Sequence, residues 1–509
     1  MTTPVSEEVV AQANAIKEEA NLLFANKKYD EAIEKYTEAI ELNPNVAAYY
    51  ANRAFAHTKL EAYGAAILIH IQQFIHAHTL SPLLSPYLTY PRDGDKAVEV
   101  DPKYAKGYYR RGVGKYALAR YKEAAKDFRI VVKIAPNDKD ARLKLEDCEK
   151  TATRIAFEKA IASNEVVKKV SDSIDTQSII VEDNYDGVRI DDGKITKEFV
   201  DDMIERFVAQ KKIHRRYAYE IILQTRKYFM EQPSLVDVNI PDDSKLTICG
   251  DVHGQFYDFI NIFKLNGRPS EKHAYLFNGD FVDRGTFSLE IILTLFAYKL
   301  LYPTGMYLTR GNHETDDMNK VYGFEDEVKA KFSETMFKIF SETFTTLPLA
   351  HLVQKKIFVV HGGLSSRDDV TLDEIRNIDR IGKGQPGQGG LMSELLWADP
   401  QPQPGRSPSV RGVGQRFGPD VTENFCKMND LDMIIRSHEV KQQGYHVEHN
   451  GRCVTIFSAP NYCDSVGNKG AYINVTPDKE TVVKLDYVQF EAVEHPKTQP
   501  YSNRFRGGF

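Results

Sequence analysis

At 509 residues the chain is too long for one ordinary domain, and two or three are expected. Apolar residues at 42% beside 27% charged ones describe a globular protein with ample core, and a formal charge of -6 argues against a nucleic-acid footprint. Five cysteines, odd in number and without a CxxC, together with an N-terminus that has neither a basic nor an apolar leader region, point to a reducing compartment; cytoplasm and nucleus are the default.

From about Ala13 to Pro136 the chain reads as helical and repetitive. Pro44, Pro102 and Pro136 each close a similar segment, AIELNP, AVEVDP and VVKIAP. The last two prolines are 34 residues apart, the tetratricopeptide period, and small residues recur at matching places. Ala20, Ala54 and Gly112 fall in the first helix of each repeat; Ala32, Ala66 and Ala124 fall in the second. Tyr36 and Phe128 would fill the groove between the paired helices. After Pro136 a long amphipathic segment is expected to cap the array, which then occupies residues 13–165.

The first two prolines lie 24 residues further apart than the period allows, and removing Leu68–Pro91 restores the spacing. That stretch is apolar, proline-broken and carries His70, His76 and His78. It is expected to be an irregular excursion; a continued helix over Ile67–Ala77 is the other reading. No run in it reaches the roughly 18 apolar residues of a membrane span. On the first helices of the repeats, Lys17, Asn21, Asn52, Lys106 and Arg110 place cations and amides in one groove. That set suits a peptide ending in carboxylates.

Residues 166–195 have mixed charge and no period and read as a linker. Phe199–Glu231 reads as helical, and strands begin at Lys245. Three short apolar runs then end abruptly in polar turns: LTICGDVHGQ, AYLFNGDFVDRG and MYLTRGNHE. Three more follow, KIFVVHGG, LDMIIRSHE and RCVTIFSAPNYCD, with helical segments between strands. This is the pattern of buried strands in a layered α/β domain, where chemistry gathers at strand ends. Asp251, His253, Asp280, Asp283, Arg284, Asn312, His313, His361, His438, Asn461 and Tyr462 stand at those ends.

A pair of divalent cations explains this set of donors. Asp280 suits a shared ligand, Asp251 and His253 reach one ion, and Asn312, His361 and His438 reach the other. Mixed nitrogen and oxygen donors without thiolate favour Mn, Fe or Zn. Two cations would acidify a water at neutral pH, and His313 could protonate a leaving oxygen while Asp283 holds its other ring nitrogen. Arg284 offers a planar fork to phosphate oxygens.

The blocks GDVHGQ, GDFVDRG, GNHE, HGG, RSHE and SAPNYCD resemble the phosphoprotein phosphatase family of metal-dependent serine/threonine phosphatases. With the repeats, the resemblance is to its tetratricopeptide-bearing branch, from about Ala13 to about His495. It implies an all-α repeat array followed by an α/β metallophosphoesterase β-sandwich flanked by helices, spanning 196–495, with a divergent tail over 496–509. It also implies that Arg411 and Tyr462 join Arg284 in holding phosphate and that Tyr322 lines the pocket. Phosphoprotein substrates, a monomeric chain and binding of the C-terminal peptide of the ninety-kilodalton heat-shock chaperone follow in the same way. Lys59 joins the peptide-binding residues by that match, and Glu61 aligns with an acidic residue through which the array represses the active site. The nearby insertion and the basic tail predict weaker repression, or a weaker response to chaperone, than in relatives. Two other functions compete: hydrolysis of small phosphoesters such as dinucleotide tetraphosphates, and an adaptor carrying an inactive enzyme domain.

Overall fold

The computed structural model describes residues 6–59, 93–162, 169–387, 389–409, 411–479, 481–498 and 501. Glu61, Ala66, the three insertion histidines and both readings of the inserted stretch lie outside the described residues. The chain divides into two compact units, Met1–Val167 with Pro408–Val413 among the described stretches of the first, and Lys168–Ser407 with Gly414–Asn503 as the second.

Paired antiparallel helices build the first unit: α1 (Glu7–Ala25), α2 (Tyr29–Leu42), α3 (Ala47–Lys59), α4 (Asp93–Val100), α5 (Ala105–Ala117), α6 (Tyr121–Ile134) and the long α7 (Lys139–Ala162). The period-matched small residues do what the spacing predicts. Ala20, Ala32, Ala54 and Ala124 are fully buried, and a Cβ on Gly112 would stand 3.0 Å from the Phe128 ring. Repeat two closes on charge as well as on apolar contact. Arg53 is buried and forks onto Asp93, with Nε 2.9 Å from Oδ2 and Nη2 2.7 Å from Oδ1, while Nη1 donates to Thr37. Arg111 reaches both Asp95 and Asp127. The chain that re-enters the array at Asp93 and Asp95 is therefore fastened within its first turn.

In the second unit the apolar runs become strands: β1 (Leu235–Val238), β2 (Lys245–Cys249), β3 (His273–Phe277), β4 (Met306–Leu308), β5 (Ala350–Val353), β6 (Ile357–Val360), β7 (Asp399–Pro400), β8 (Arg406–Pro408), β9 (Gln415–Phe417), β10 (Met433–Arg436), β11 (Tyr445–Glu448), β12 (Cys453–Ile456), β13 (Gly470–Asp478) and β14 (Val482–Phe490). They make a six-stranded sheet ordered β1-β5-β6-β10-β12-β11, a five-stranded sheet ordered β14-β13-β2-β3-β4 and a small third sheet, β7-β9-β8. Leu246, Ile248 and Leu276 meet Ile357, Val359, Ile435, Val454 and Ile456 in the layer between the two large sheets. Cys249, Tyr275 and Phe277 face the other way, into a helix-covered core with Phe259, Phe263 and Phe296. Burial on both faces is why these strands read as unbroken apolar runs rather than alternating ones.

Three local expectations change. The helix expected over Phe199–Glu231 is two, α8 (Lys197–Val208) and α9 (Arg215–Met230). The chain turns at Gln210, whose φ is 57°, and His214 caps the second helix by accepting from the Arg216 N–H. Strands begin ten residues before Lys245, with β1, and the long β13–β14 hairpin completes the five-stranded sheet. Residues read as a linker carry two short 3₁₀ turns, and Val170, Ile174, Ile179 and Val181 pack on the helix-covered core. Glu342 accepts from the main-chain N–H groups of Val170 and Ser171 at 2.7 and 3.1 Å.

Candidate active site

Both large sheets direct the carboxyl ends of their strands to one place. Asp251 and His253 follow β2, Asp280 and Asp283 follow β3, and Asn312 and His313 follow β4, all in the five-stranded sheet. His361 follows β6 and His438 follows β10 in the six-stranded sheet, with Tyr462 past β12. The turns are tight enough to hold His253, Asp280, Asp283, Arg284 and His438 at positive φ, between 40° and 72°. Non-glycine residues there cost of order 1–3 kcal/mol each, so the surrounding bonds must impose the geometry.

Hydrogen bonds to main-chain carbonyls fix which ring nitrogen of His253 and of His361 carries a lone pair. His253 Nδ1 donates to the Val282 carbonyl at 3.0 Å, which turns Nε2 toward Asp280 Oδ2 at 3.4 Å and Asp251 Oδ2 at 3.8 Å. His361 Nδ1 donates to the Asn278 carbonyl at 2.7 Å, leaving Nε2 3.3 Å from Asp280 Oδ1. One side-chain amide atom of Asn312 lies 2.8 Å from His361 Nε2, 2.9 Å from His438 Nδ1 and 3.1 and 3.3 Å from the Asp280 oxygens; an amide nitrogen in that place donates to all of these acceptors. Acceptors from three turns thus converge on one point. Two donor sets converge in this way, His253–Asp280–His313 and Asp280–His361–His438, and Asp280 belongs to both. Asp251 touches the second set through its Oδ1, which accepts from the His438 N–H at 3.1 Å. The residues present therefore fit a pair of divalent cations sharing Asp280.

The electrostatics agree. Asp251, Asp280 and Glu314 are all buried, and burial, with the Asp280 charge adding to it, pushes Asp251 and Glu314 up to about 8. Burial likewise lowers His361, favouring the neutral imidazole that a metal requires. His313 differs from the other histidines. Its Nδ1 is 2.8 Å from Asp283 Oδ2, and Asp283 also accepts from Asn319 Nδ2 at 3.0 Å and the Phe324 N–H at 2.9 Å. Burial pushes Asp283 up to about 7 against those donors. The His313 nitrogen not held by Asp283 is the one that faces the donor set.

Around this centre Arg284 lies with its guanidinium carbon 3.8 Å from the centroid of the Tyr322 ring, and its N–H donates to the Tyr322 carbonyl. Tyr322 and Tyr462 stack beside His313 and His253 at ring separations of 5.1 and 5.2 Å. Arg411 sits in the Pro408–Val413 stretch of the first unit, its N–H bonded to Ser409 Oγ. In that unit some of the expected peptide-binding residues are in contact. Asn52 Nδ2 donates to Asn21 Oδ1, which also accepts from Tyr36, and Arg110 and Lys59 lie 3.4 and 5.1 Å from the Phe55 ring centroid. Lys17 pairs with Glu18, and Lys106 is exposed one turn before Arg110.

Two residues that the sequence analysis passed over organise these loops. The Glu314 carboxylate accepts from the N–H groups of Asp280, Phe281 and Gly311 at 2.9, 2.9 and 2.8 Å, tying the GDFVDRG and GNHE turns together. Asn319 donates both to Asp283 and to the His313 carbonyl. A buried acid ending the GNHE block was the available signal for the first; nothing local marks Asn319.

A two-sheet α/β sandwich with two oxygen- and nitrogen-rich donor sets at its strand ends defines a metal-dependent phosphoesterase. The calcineurin-like phosphoesterase family model matches residues 244–442, a PPP5 TPR repeat region model matches 145–237, and a TPR repeat model matches 20–61. Serine/threonine-protein phosphatase T of Aspergillus oryzae is 52% identical, over 96% of this chain and 96% of its own. Serine/threonine-protein phosphatase 5 of Rattus norvegicus is 48% identical, over 98% and 95%. A solved serine/threonine phosphatase from Saccharomyces cerevisiae, described as similar to a human phosphatase of this type, superposes with a TM-score of 0.58 at 44% identity, covering 60% of this chain and 99% of its own. The chain belongs to the serine/threonine-protein phosphatase 5/T family, and the expected fold and enzyme class are borne out.

Proposed function

We propose that the second unit hydrolyses phosphoserine and phosphothreonine esters of proteins with two divalent cations, manganese, iron or zinc. Asp251, His253 and Asp280 would hold the first, and Asp280, Asn312, His361 and His438 the second. When bound, the pair supplies water activation and neutralisation of phosphate charge at neutral pH. The chain's own groups do the rest. Arg284, held over the Tyr322 ring, presents guanidinium donors to phosphate oxygens, Tyr462 and Tyr322 wall the pocket, and Arg411 joins them only as the resemblance implies. His313 gives a proton to the departing serine or threonine oxygen, and Asp283 keeps its ring in the tautomer that can do so. The two converging donor sets that share Asp280 carry this reading.

We further propose that the groove of Lys17, Asn21, Asn52, Lys59, Lys106 and Arg110 takes a carboxylate-ended peptide, that of the ninety-kilodalton chaperone. The contiguity of Asn21, Asn52, Phe55 and Arg110 supports it. Repression through Glu61, a monomeric chain and a cytoplasmic and nuclear location complete the proposal. None of the five cysteines is in a disulfide, which fits a reducing compartment.

Metal analysis with phosphopeptide turnover on the purified full chain, beside His313→Asn, tests the core of this. Two ions per chain, turnover in the parent and its loss in the variant are expected. A metal-loaded but inactive parent, or an active His313→Asn protein, would refute the mechanism.

A further inference from the structure

RSHE contributes its histidine to the donor set, but the arginine of the same block has no part in the chemistry described above. Arg436 closes β10 and is fully buried, one of the largest such side chains among the described residues. A guanidinium in that position must spend its donors on fixed acceptors, because an unpaired buried charge is very costly. Its bonds go to three separate segments. Nε donates to the Gly362 carbonyl at 2.6 Å, Nη1 to Glu439 Oε2 at 2.8 Å, and Nη2 to the Ala398 carbonyl at 3.1 Å and to Asp399 Oδ1 at 2.8 Å.

Each of those segments borders a ligand of one ion only. Gly362 directly follows His361, and Glu439 directly follows His438. Ala398 and Asp399 follow Trp397, whose ring stands edge-on to the His438 imidazole at 5.5 Å and 89°. The neighbouring main chain is bound to match, with the Ser437 N–H donating to the His361 carbonyl at 2.9 Å. The two imidazoles end 5.1 Å apart, on separate strands of one sheet. The first-ion residues Asp251 and His253 follow a strand of the other sheet; Asp251 meets this arrangement through the His438 N–H at 3.1 Å, while no Arg436 hydrogen bond reaches their loop among the described residues.

We infer that Arg436 is a positioning residue for the second cation, a planar fork that sets His361, His438 and the Trp397 wall at one spacing. This rests on the two-cation reading above. Lysine keeps the charge but offers a single swivelling ammonium in place of a rigid fork, so it cannot span three segments at once.

The experiment is a manganese titration of chelator-stripped full-length protein, followed by electron paramagnetic resonance, on the parent, Arg436→Lys and Glu439→Ala. The parent is expected to bind two ions and give a spin-coupled spectrum. Arg436→Lys should bind the first ion within roughly a few-fold of the parental affinity, through the Asp251–His438 link, and the second roughly 10- to 100-fold more weakly, the usual effect of losing a supporting partner, with an uncoupled six-line signal at one equivalent. Glu439→Ala, at a partly exposed site, removes one anchor and should weaken the second ion by several-fold; it carries the test if the buried lysine variant does not fold. Parental affinity for both ions in a folded variant, or equal weakening of both ions, would overturn the inference. A parent that itself binds one ion would instead refute the two-cation reading on which it stands.

Discussion

At the residue scale, the donors are ordinary and their supports are not. Glu314 is outside the expected ligand set, yet it binds the main chain of the shared ligand and of the turn carrying Asn312 and His313. Glu314→Gln replaces an acceptor with a donor that faces main-chain N–H groups. Metal affinity and kcat should each fall roughly 10- to 100-fold, read by metal titration and steady-state kinetics. His313→Asn should retain both ions but lose on the order of 10²- to 10⁴-fold in kcat, with KM little changed. A third residue concerns stability alone. His351 is buried, bonded through Nδ1 to Thr309 Oγ1, and burial, with the Lys299 charge, lowers it to about 3. Unfolded, it titrates near 6.5, so the fold binds fewer protons below that pH. Its contribution is complete above pH 6.5 and is lost as pH falls toward 3, amounting to about 2 kcal/mol at pH 5. Thermal midpoints of the parent and His351→Gln should converge as pH drops from 7 to 5.

At the scale of elements, the strand ends were legible because a strand buried on both faces is a short apolar run, and a polar turn after it is conspicuous. Every motif turn then fell at a carboxyl end. What escaped was whatever depends on partners far along the chain. Strand β1 is short and carries Asp237, so it lacks an apolar signature, and β13 enters between β14 and β2 from more than two hundred residues away. The bonds of Glu314 to Asp280 and Phe281 cross more than thirty residues, and no local pattern records them. Gly250 shows the same limit. A Cβ there would stand 2.1 Å from the Ile456 carbonyl oxygen, at the crossing of β2 and β12 from the two sheets. Its presence beside Asp251 reads as a turn; the structure shows a contact between sheets. In the first unit, Arg53→Met would strand the buried Asp93 carboxylate and should destabilise the repeats by about 3–5 kcal/mol in denaturant titrations followed by circular dichroism.

At the scale of the whole molecule, the proposed function has the two units answer to different ligands. Stripping metal with a chelator should abolish phosphopeptide turnover and lower the unfolding temperature of the second unit, while manganese restores both. The repeat unit should be indifferent to chelator and stabilised by chaperone peptide. Deleting residues 68–91 tests repression: turnover without peptide should fall relative to the full chain, and the response to peptide should grow.

The donor sets draw on turns that begin at Asp251 and end at His438, from both sheets. A chain emerging from the ribosome cannot assemble the second set until that last histidine and the strand behind it have appeared. Truncated products ending earlier would be silent rather than partly active. For an enzyme that erases phosphate marks, this makes hydrolysis a late event in synthesis, arriving only after the amino-terminal repeats have had time to fold.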